Sequence, residues 1–273
     1  MLIALCGGIF IILLYIYLIY PSPIKNNDFE RFSHRSYAHR GLYDNTYGPP
    51  ENTLLAFLAA AEYGYGIELD LQMTNDKKVV IFHDDDLIRA AGIDKRIADM
   101  NYDEIKDIEL FGSKESIPVF SDFLALIAGK VPLIVELKSD PKRTDELCNA
   151  VYSELKNYKG DFCIESFDPF ITRWFLVNAP KVVRGQLSMG RKRYKEALTP
   201  LQAFIASSLF VNAIGRPNFI AYQYSDRSFG FRISKLMGAM TVMWTVNDRQ
   251  NQEIFQKTED AIIFEGFFPE VRW

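Results

Sequence analysis

The chain has 273 residues, 48% hydrophobic and 14% aromatic, which is enough apolar material for one large folded domain and excludes a disordered chain. Its 31 basic and 35 acidic residues give a net charge of −4 without a basic run, which argues against nucleic-acid binding. The three cysteines, Cys6, Cys148 and Cys163, lack zinc-ligand spacing and allow at most one internal pair, so the chain is not a disulfide scaffold.

The N-terminus contains a run of 19 uncharged residues, from Leu2 to Tyr20. As a helix it would be about 28 Å long, close to the hydrocarbon thickness of a bilayer. No basic segment precedes it and no small-residue cleavage site follows it, which favours a retained anchor over a cleaved signal peptide. We therefore expect a single-pass transmembrane anchor over residues 1–21 and a membrane localisation.

The segment 22–35 is polar and interrupted by proline, so it is predicted to be a linker. Basic residues follow the apolar run, namely Lys25, Arg31 and Arg35. By the positive-inside rule they favour a cytoplasmic position for the domain after the linker. An extracytoplasmic position stays open, because long domains cross membranes despite such charges.

From residue 36 to residue 273, strand-like apolar runs alternate with helical patterns. Strands are expected at 67–71, 79–82, 133–137, 162–165, 183–187, 219–222, 241–245 and 261–264. This alternation predicts a mainly parallel sheet, either doubly wound or closed as a barrel. The barrel is favoured because the chemically active residues fall at the C-terminal ends of several strands. Glycine-rich nucleotide motifs are missing from the sequence, which weakens the nucleotide-binding alternatives.

Two features interrupt the alternation. The stretch between Glu68 and His83 is too short for a crossover helix and predicts a hairpin with its turn near residues 75–77. Such a hairpin folds His83 back beside Glu68 and Asp70. The charged stretch of about 85–118 predicts a small insertion that covers the pocket.

Carboxylates are paired along two of the predicted strands. Glu68 and Asp70 are two residues apart, so both point to one face of a strand, and Glu136 with Lys138 repeats that spacing. Oxygen donors without zinc-like spacing favour a hard divalent cation, Mg²⁺ or Ca²⁺. Surface ion pairing is the alternative, but carboxylates that point into the interior of a barrel require partners.

Two histidines and two basic residues complete the set of candidate site residues. His39 and His83 suit an acid and base pair, because imidazole titrates near neutral pH. Arg40 and Lys138 offer donors to a phosphate, although both could instead pair with the neighbouring carboxylates. Together these residues predict metal-assisted attack on a phosphate ester.

The motifs resemble those of the glycerophosphodiester phosphodiesterases in order and spacing over roughly residues 36–269. The matching motifs are His39-Arg40-Gly41, Pro50-Glu51-Asn52-Thr53, Ile67-Glu68-Leu69-Asp70, Val80-Ile81-Phe82-His83-Asp84, Glu136-Leu137-Lys138 and Trp244-Thr245-Val246-Asn247. The resemblance implies a distorted (β/α)₈ TIM barrel over 36–273 with a small insertion. It also implies hydrolysis of glycerophosphodiesters to glycerol 3-phosphate and an alcohol.

By this resemblance, particular residues take the family's functional positions. The implied assignments are His39 and His83 as the catalytic pair, Glu68, Asp70 and Glu136 as metal ligands, Arg40 and Lys138 as phosphate contacts, and Trp244 in the pocket wall. Glu51 and Asn52 are interpreted as mainly structural. Three positions depart from the family pattern: Asp76-Lys77, Phe264-Glu265 and Leu87-Ile88-Arg89-Ala90-Ala91.

Alternatives to this function stay open at the level of the sequence. One is a lysophospholipase D-like or phospholipase C-like enzyme that acts on lysophospholipids or other membrane lipids. Another is a barrel that binds phosphodiesters or a partner without turnover. The residues also leave open the identity of the leaving alcohol, the choice between Mg²⁺ and Ca²⁺, and the oligomeric state. They do not show which histidine is the base, or whether water attacks phosphorus directly or a cyclic phosphate forms first.

Overall fold

The computed structural model describes residues 2–195 and 197–273. Its helices are α1 (Leu2–Ile19), α2 (Asn26–Phe32), α3 (Leu54–Glu62), α4 (Ile88–Ala91), α5 (Tyr102–Ile105), α6 (Phe120–Ile127), α7 (Thr144–Leu155), α8 (Pro169–Asn178), α9 (Pro200–Ser207), α10 (Asn212–Gly215), α11 (Phe229–Leu236) and α12 (Arg249–Thr258). Its strands are β1 (Arg35–Ala38), β2 (Gly66–Met73), β3 (Val79–Ile81), β4 (Asp86–Leu87), β5 (Ile93–Arg96), β6 (Leu133–Leu137), β7 (Phe162–Ser166), β8 (Arg184–Ser188), β9 (Phe219–Gln223), β10 (Met240–Val246) and β11 (Ala261–Phe264).

Eight parallel strands close into a barrel in the order β1-β2-β6-β7-β8-β9-β10-β11, and β11 pairs with β1. Parallel strands need long crossovers, which the intervening helices supply around the outside. The prediction of a TIM barrel is therefore confirmed.

Alternation along each strand separates an outer apolar layer from the barrel interior. In β6, Leu133, Val135 and Leu137 join the cluster that packs against the helices, whereas Ile134 joins the inner cluster. Glu136 shares the inward face of Ile134, because side chains two residues apart lie on one face. The strands thus place their polar residues at one end of a packed interior.

The stretch between β2 and β6 departs from the barrel pattern. β3 pairs antiparallel with β2, with Leu71 opposite Ile81, which is the hairpin predicted from the short spacing between Glu68 and His83. β4, α4, β5 and α5 follow within the segment predicted as an insertion. Buried side chains of this segment form a small hydrophobic cluster with residues of the hairpin, including Phe82, Leu87, Ile97 and Leu110.

The N-terminal helix α1 corrects one prediction. Within residues 2–195 and 197–273, no helix has both the length and the apolar character needed to cross a membrane. The predicted anchor over 1–21, and the membrane localisation derived from it, are therefore contradicted, while Met1 lies outside the described residues. Part of the apolar run packs on the barrel instead, because Ile19 is fully buried and the Tyr15 hydroxyl donates to the Ser208 carbonyl at 3.1 Å.

The segment 22–35, predicted as a linker, contains α2. Phe32 is buried in the inner cluster, and Ile24 and Phe29 pack against that cluster. The buried hydroxyl of Tyr37 donates to the Phe32 carbonyl at 2.9 Å. A helix forms here because its aromatic side chains cover the barrel interior, a tertiary contact that the polar composition of the segment conceals.

Truncation of an interior aromatic tests this packing. Phe219 is fully buried, and its ring occupies the space that a Cβ on Gly185 would take. We expect Phe219→Ala to lower the free energy of unfolding by about 3–5 kcal/mol, measured by urea denaturation. The control is Leu236→Ala, because Leu236 is 87% exposed. An equal effect of the two substitutions would contradict the assignment of Phe219 to the core.

Candidate active site

The predicted site residues converge at the C-terminal end of the barrel. Glu68 and Asp70 lie in β2, Glu136 lies in β6, and His39 and Lys138 follow directly after β1 and β6. The hairpin returns His83 to the same end, and Trp244 reaches it from β10. All eight residues singled out from the sequence are thus gathered at one end of the barrel.

The three carboxylates form a compact cluster. Glu68, Asp70 and Glu136 each offer an oxygen, and these oxygens lie within 4.8 Å of one another. All three residues are buried, and Asp70 is directly opposite Glu136 in the paired strands. A set of buried carboxylate oxygens at this spacing fits a hard divalent cation such as Mg²⁺ or Ca²⁺.

Burial and charge act differently on the three carboxyl groups. Burial, together with the charges of Asp70 and Glu136, raises the pKa of Glu68 well above its usual range. Burial likewise raises the pKa of Glu136 to about 7, although Lys138 opposes the shift. For Asp70, burial is outweighed by Lys138, His83 and Arg40, which hold its pKa well below the usual range. The cluster therefore carries excess negative charge that protons or a cation must balance.

Lys138 and Arg40 balance part of this charge. The Lys138 ammonium lies 2.7 Å from Asp70 Oδ1 and 2.9 Å from Glu136 Oε1. The Arg40 backbone N–H donates to Glu68 Oε2 at 3.1 Å, and its Nε lies 3.5 Å from Asp70 Oδ2. The sequence left open whether these cations meet a phosphate or the carboxylates, and here they pair with the carboxylates.

His39 is oriented by a carboxylate that the sequence did not single out as functional. Its Nδ1 donates to Glu265 Oε2 at 2.7 Å, and the Tyr43 hydroxyl donates to the same oxygen at 3.0 Å. The bond from His39 lowers the pKa of Glu265, which keeps this partner ionised. Because Nδ1 carries the proton, the neutral imidazole presents its free Nε2, which lies 4.0 Å from Glu68 Oε2.

His83 has a similar arrangement. Its Nδ1 donates to Asp84 Oδ1 at 2.6 Å. Burial lowers the pKa of His83, while Asp70 raises it and Lys138 lowers it further. Both histidines therefore have Nδ1 bound to a carboxylate and Nε2 available for proton transfer.

The motif interpreted as mainly structural also contacts the site. Asn52 donates from its side-chain amide to Asp70 Oδ2 at 2.8 Å. Glu51 accepts from Arg40 Nη1 at 2.6 Å. The hydroxyl of Thr53 accepts from the Ala56 backbone N–H and caps α3, so the motif serves the helix and the site together.

Glu165 is a further buried carboxylate that the sequence analysis did not single out. It lies opposite Glu136 in the paired strands and is 1% exposed. Its Oε2 has no hydrogen-bond partner among the described residues, and burial beside Glu136 raises its pKa well above the usual range. The only signal for it in the sequence is an acidic residue at an inward position of an apolar strand.

Trp244, predicted to lie in the pocket wall, stands near the C-terminal end of β10 and packs in an aromatic cluster. Its ring meets Phe167 edge to face, with centroids 5.8 Å apart, and Phe167 in turn contacts Tyr194 at 6.3 Å. An aromatic wall therefore extends from β10 across the loop after β7.

Comparisons with known proteins identify relatives of this chain. The sequence model described as the glycerophosphoryl diester phosphodiesterase family matches residues 39–265. A glycerophosphodiester phosphodiesterase from Caldanaerobacter subterraneus subsp. tengcongensis is 34% identical over 162 residues, which cover 55% of this chain and 65% of that protein. A lysophospholipase D from Homo sapiens is 33% identical over 105 residues, which cover 38% of this chain and 32% of that protein. The chain thus spans less than two thirds of the length of these curated relatives.

Solved structures share the fold. A phosphodiesterase from Oleispira antarctica, in complex with the product sn-glycerol-3-phosphate, superposes with a TM-score of 0.70 at 22% identity. The superposition covers 86% of this chain and 94% of that one.

The charge on Glu136 predicts how stability depends on pH in the ion-free protein. Its pKa is raised from 4.5 to about 7, so the neutral form stabilises the fold below pH 4.5 and this contribution is lost as the pH rises through 7. We expect the free energy of unfolding in EDTA to fall by about 1–3 kcal/mol from pH 5 to pH 8. Millimolar Mg²⁺ or Ca²⁺ should offset the fall. Glu136→Gln, which does not titrate, should show a shallower slope, and an unchanged slope would contradict this interpretation.

Proposed function

Because the chain belongs to the glycerophosphoryl diester phosphodiesterase family, we propose that it hydrolyses glycerophosphodiesters to glycerol 3-phosphate and an alcohol. The observation that carries the proposal is the meeting of two carboxylate-anchored histidines, His39 and His83, with a buried cluster of three carboxylates. An acid, a base and a cation site are the parts that hydrolysis of a phosphodiester requires.

Glu68, Asp70 and Glu136 would hold the divalent cation. When bound, the cation neutralises charge on the phosphate oxygens and stabilises the five-coordinate transition state. The raised pKa of Glu68 supports this assignment, because the cluster lacks enough positive charge of its own.

Arg40 and Lys138 bind the phosphate beside the cation. Lys138 has three N–H donors, of which Asp70 and Glu136 take two, so one remains for a phosphate oxygen. Arg40 has a planar set of five donors, which suits two phosphate oxygens while Glu51 holds Nη1. Trp244 packs against the organic part of the substrate.

The two imidazoles share the proton transfers. One Nε2 removes the proton from the attacking oxygen, and the other returns a proton to the alcohol oxygen as its bond to phosphorus breaks. Glu265 and Asp84 keep Nδ1 of each ring protonated, so that Nε2 is the nitrogen that reacts. Both rings lie close enough to Asp70 to lower its pKa, which supports a shared reacting centre.

Substitution of one histidine and one carboxylate tests the proposal. We expect His39→Ala to lower turnover by about 10²–10⁴-fold, because a proton-transfer group is lost. Glu68→Gln should abolish turnover while leaving the melting temperature of the ion-free protein nearly unchanged, because the native carboxyl holds its proton there. The assay follows release of glycerol 3-phosphate from glycerophosphocholine, glycerophosphoethanolamine and glycerophosphoglycerol in EDTA and after addition of Mg²⁺ or Ca²⁺.

His34→Asn is the matched control, because His34 is the one histidine besides His39 and His83. It is exposed, and its φ is positive at 53°, a conformation that asparagine tolerates. It should retain wild-type turnover. Wild-type activity in His39→Ala or Glu68→Gln would refute the mechanism.

A second candidate substrate, a lysophospholipid, is favoured by an apolar groove of about 1360 Å³. It is lined by residues after β6 and β7, by α8 and by α9, including Phe167, Trp174, Met189, Tyr194 and Ile205. Phe167 lines this groove and also packs against Trp244, so the groove adjoins the aromatic cluster at the end of β10. Its volume exceeds the ~300–1,000 Å³ of ordinary small-molecule pockets, and one acyl chain attached to the glycerol would fit there.

A charge placed in the groove separates the two substrates. We expect Ile205→Asp to lower kcat/KM for lysophosphatidylcholine at least tenfold and to leave glycerophosphocholine hydrolysis unchanged, because an acyl chain would meet an unpaired carboxylate. Leu201→Asp is the control, since Leu201 lies on the same helix, is 67% exposed and does not line the groove. Equal effects of Ile205→Asp on both substrates would refute acyl-chain binding.

A further inference from the structure

Arg89 connects the insertion to the catalytic end of the barrel. This residue of α4 donates from Nε to Asp84 Oδ2 at 2.6 Å. Its Nη1 and Nη2 donate to Glu51 Oε2 and Oε1 at 2.9 and 2.6 Å. One guanidinium thus holds two carboxylates that lie far apart in the sequence.

Each of these carboxylates also holds a residue of the proposed mechanism. Asp84 accepts from His83 Nδ1 at 2.6 Å, and Glu51 accepts from Arg40 Nη1 at 2.6 Å. The result is a continuous chain of charge-assisted hydrogen bonds, His83–Asp84–Arg89–Glu51–Arg40. Such bonds are short and directional, so they couple the orientation of the His83 ring to that of the Arg40 guanidinium.

We propose that Arg89 is a positioning residue that sets the ring of His83 and the guanidinium of Arg40 in one fixed mutual geometry. The catalytic part of this inference rests on the proposed function. The geometric part concerns the protein alone and can be measured without substrate.

The burial of Glu51 explains why this connection holds its shape. Its side chain is 6% exposed, and although burial opposes ionisation, Arg89, Arg40 and Asn45 lower its pKa to about 2. A buried carboxylate that stays ionised keeps its cationic partners in place, because separation would leave the charge unpaired. Arg40 and Arg89 therefore have fixed positions around Glu51.

An arginine suits this place better than a lysine. The planar guanidinium group donates two parallel hydrogen bonds to Glu51 while its Nε donates to Asp84. The ammonium group of a lysine is a point charge and cannot make this set of bonds. The guanidinium carbon also lies 5.3 Å from the centre of the Phe111 ring, which backs it from within the insertion.

The insertion does not depend on Arg89 for its own folding. Its buried residues form the separate cluster that includes Leu87, Ile97 and Leu110. A bridge between Val80 and Val119 ties its end to the hairpin. Variants of Arg89 should therefore fold, because Glu51 keeps its bonds to Arg40 and Asn45 when Arg89 is replaced.

Loss of Arg89 has a defined effect on His83. The charged groups that face His83 are Asp84, Asp70, Lys138 and Arg40. Arg89 offsets the negative charge of Asp84, so its removal leaves that charge free to favour the protonated ring. The pKa of His83 should rise in Arg89→Gln and stay near the wild-type value in Arg89→Lys, which retains the charge.

The experiment follows the histidine rings by ¹⁵N NMR in the full-length, ion-free protein. The chain has three histidines, so His34→Asn and a His39 variant assign the signals. We expect Arg89→Gln to raise the pKa of His83 and, among the neutral rings at higher pH, to reduce the fraction protonated at Nδ1. The released Asp84 carboxylate keeps its charge near the ring but no longer holds a fixed bond to Nδ1. We also expect it to lower kcat/KM for glycerophosphocholine by about 10²-fold, because a small displacement of a reacting group is costly. Arg89→Lys should keep the pKa but lower kcat/KM about tenfold.

The matched control is Arg96→Gln, which removes the same charge from an exposed position of the same insertion. It should alter neither measurement. An unchanged pKa and tautomer of His83 in Arg89→Gln would overturn the proposal, as would wild-type kcat/KM in that variant or an equal response in Arg96→Gln. If wild-type protein hydrolyses none of the substrates, the proposed function fails, whereas the NMR result still decides the positioning of His83.

Discussion

The repulsion among carboxylates inside the barrel is the constraint on which the site depends. Glu68, Asp70 and Glu136 are buried with oxygens within 4.8 Å of one another, and such a cluster is unfavourable unless positive charge balances it. Lys138 supplies one charge by direct contact, and Arg40 supplies another from the neighbouring strand end. The remaining negative charge is what a divalent cation would balance, and such a cation would in turn present positive charge to a phosphate.

Two further carboxylates connect the histidines of the candidate site to the scaffold. Each histidine uses Nδ1 to reach a carboxylate outside the cluster, Glu265 for His39 and Asp84 for His83. These partners fix the ring orientation and the position of the proton, a support that metal and acid–base sites commonly need. The acidic cluster and its surrounding ion pairs are therefore one electrostatic unit rather than a set of independent residues.

Two parts of the protein do not belong to the regular barrel, the stretch between β2 and β6 and the N-terminal helix α1. They differ in their relation to the candidate site. The hairpin brings His83 to the carboxylates, and the insertion after it anchors Asp84 through Arg89. The N-terminal helix instead packs against α10 and α11, where Ile19 is fully buried and the Tyr15 hydroxyl donates to the Ser208 carbonyl. The apolar pattern of that helix predicted a membrane span, but composition does not show how much of a helix packs against its own domain.

The residue pattern favoured a barrel over a doubly wound sheet and predicted the hairpin, and the resemblance of the motifs pointed to the residues that the fold gathers at the C-terminal ends of the strands. The pattern could do so because strand periodicity of two and strand-end positions are local properties, as in Glu68-x-Asp70. The partners that these residues take are apparent only in the folded barrel. The contacts of Glu265 with His39, Glu165 with Glu136 and Arg89 with Glu51 join segments distant in sequence, and no local pattern encodes them. The physical reason is that the balance of buried charge depends on distances across the closed barrel, which exist only once the strands have paired.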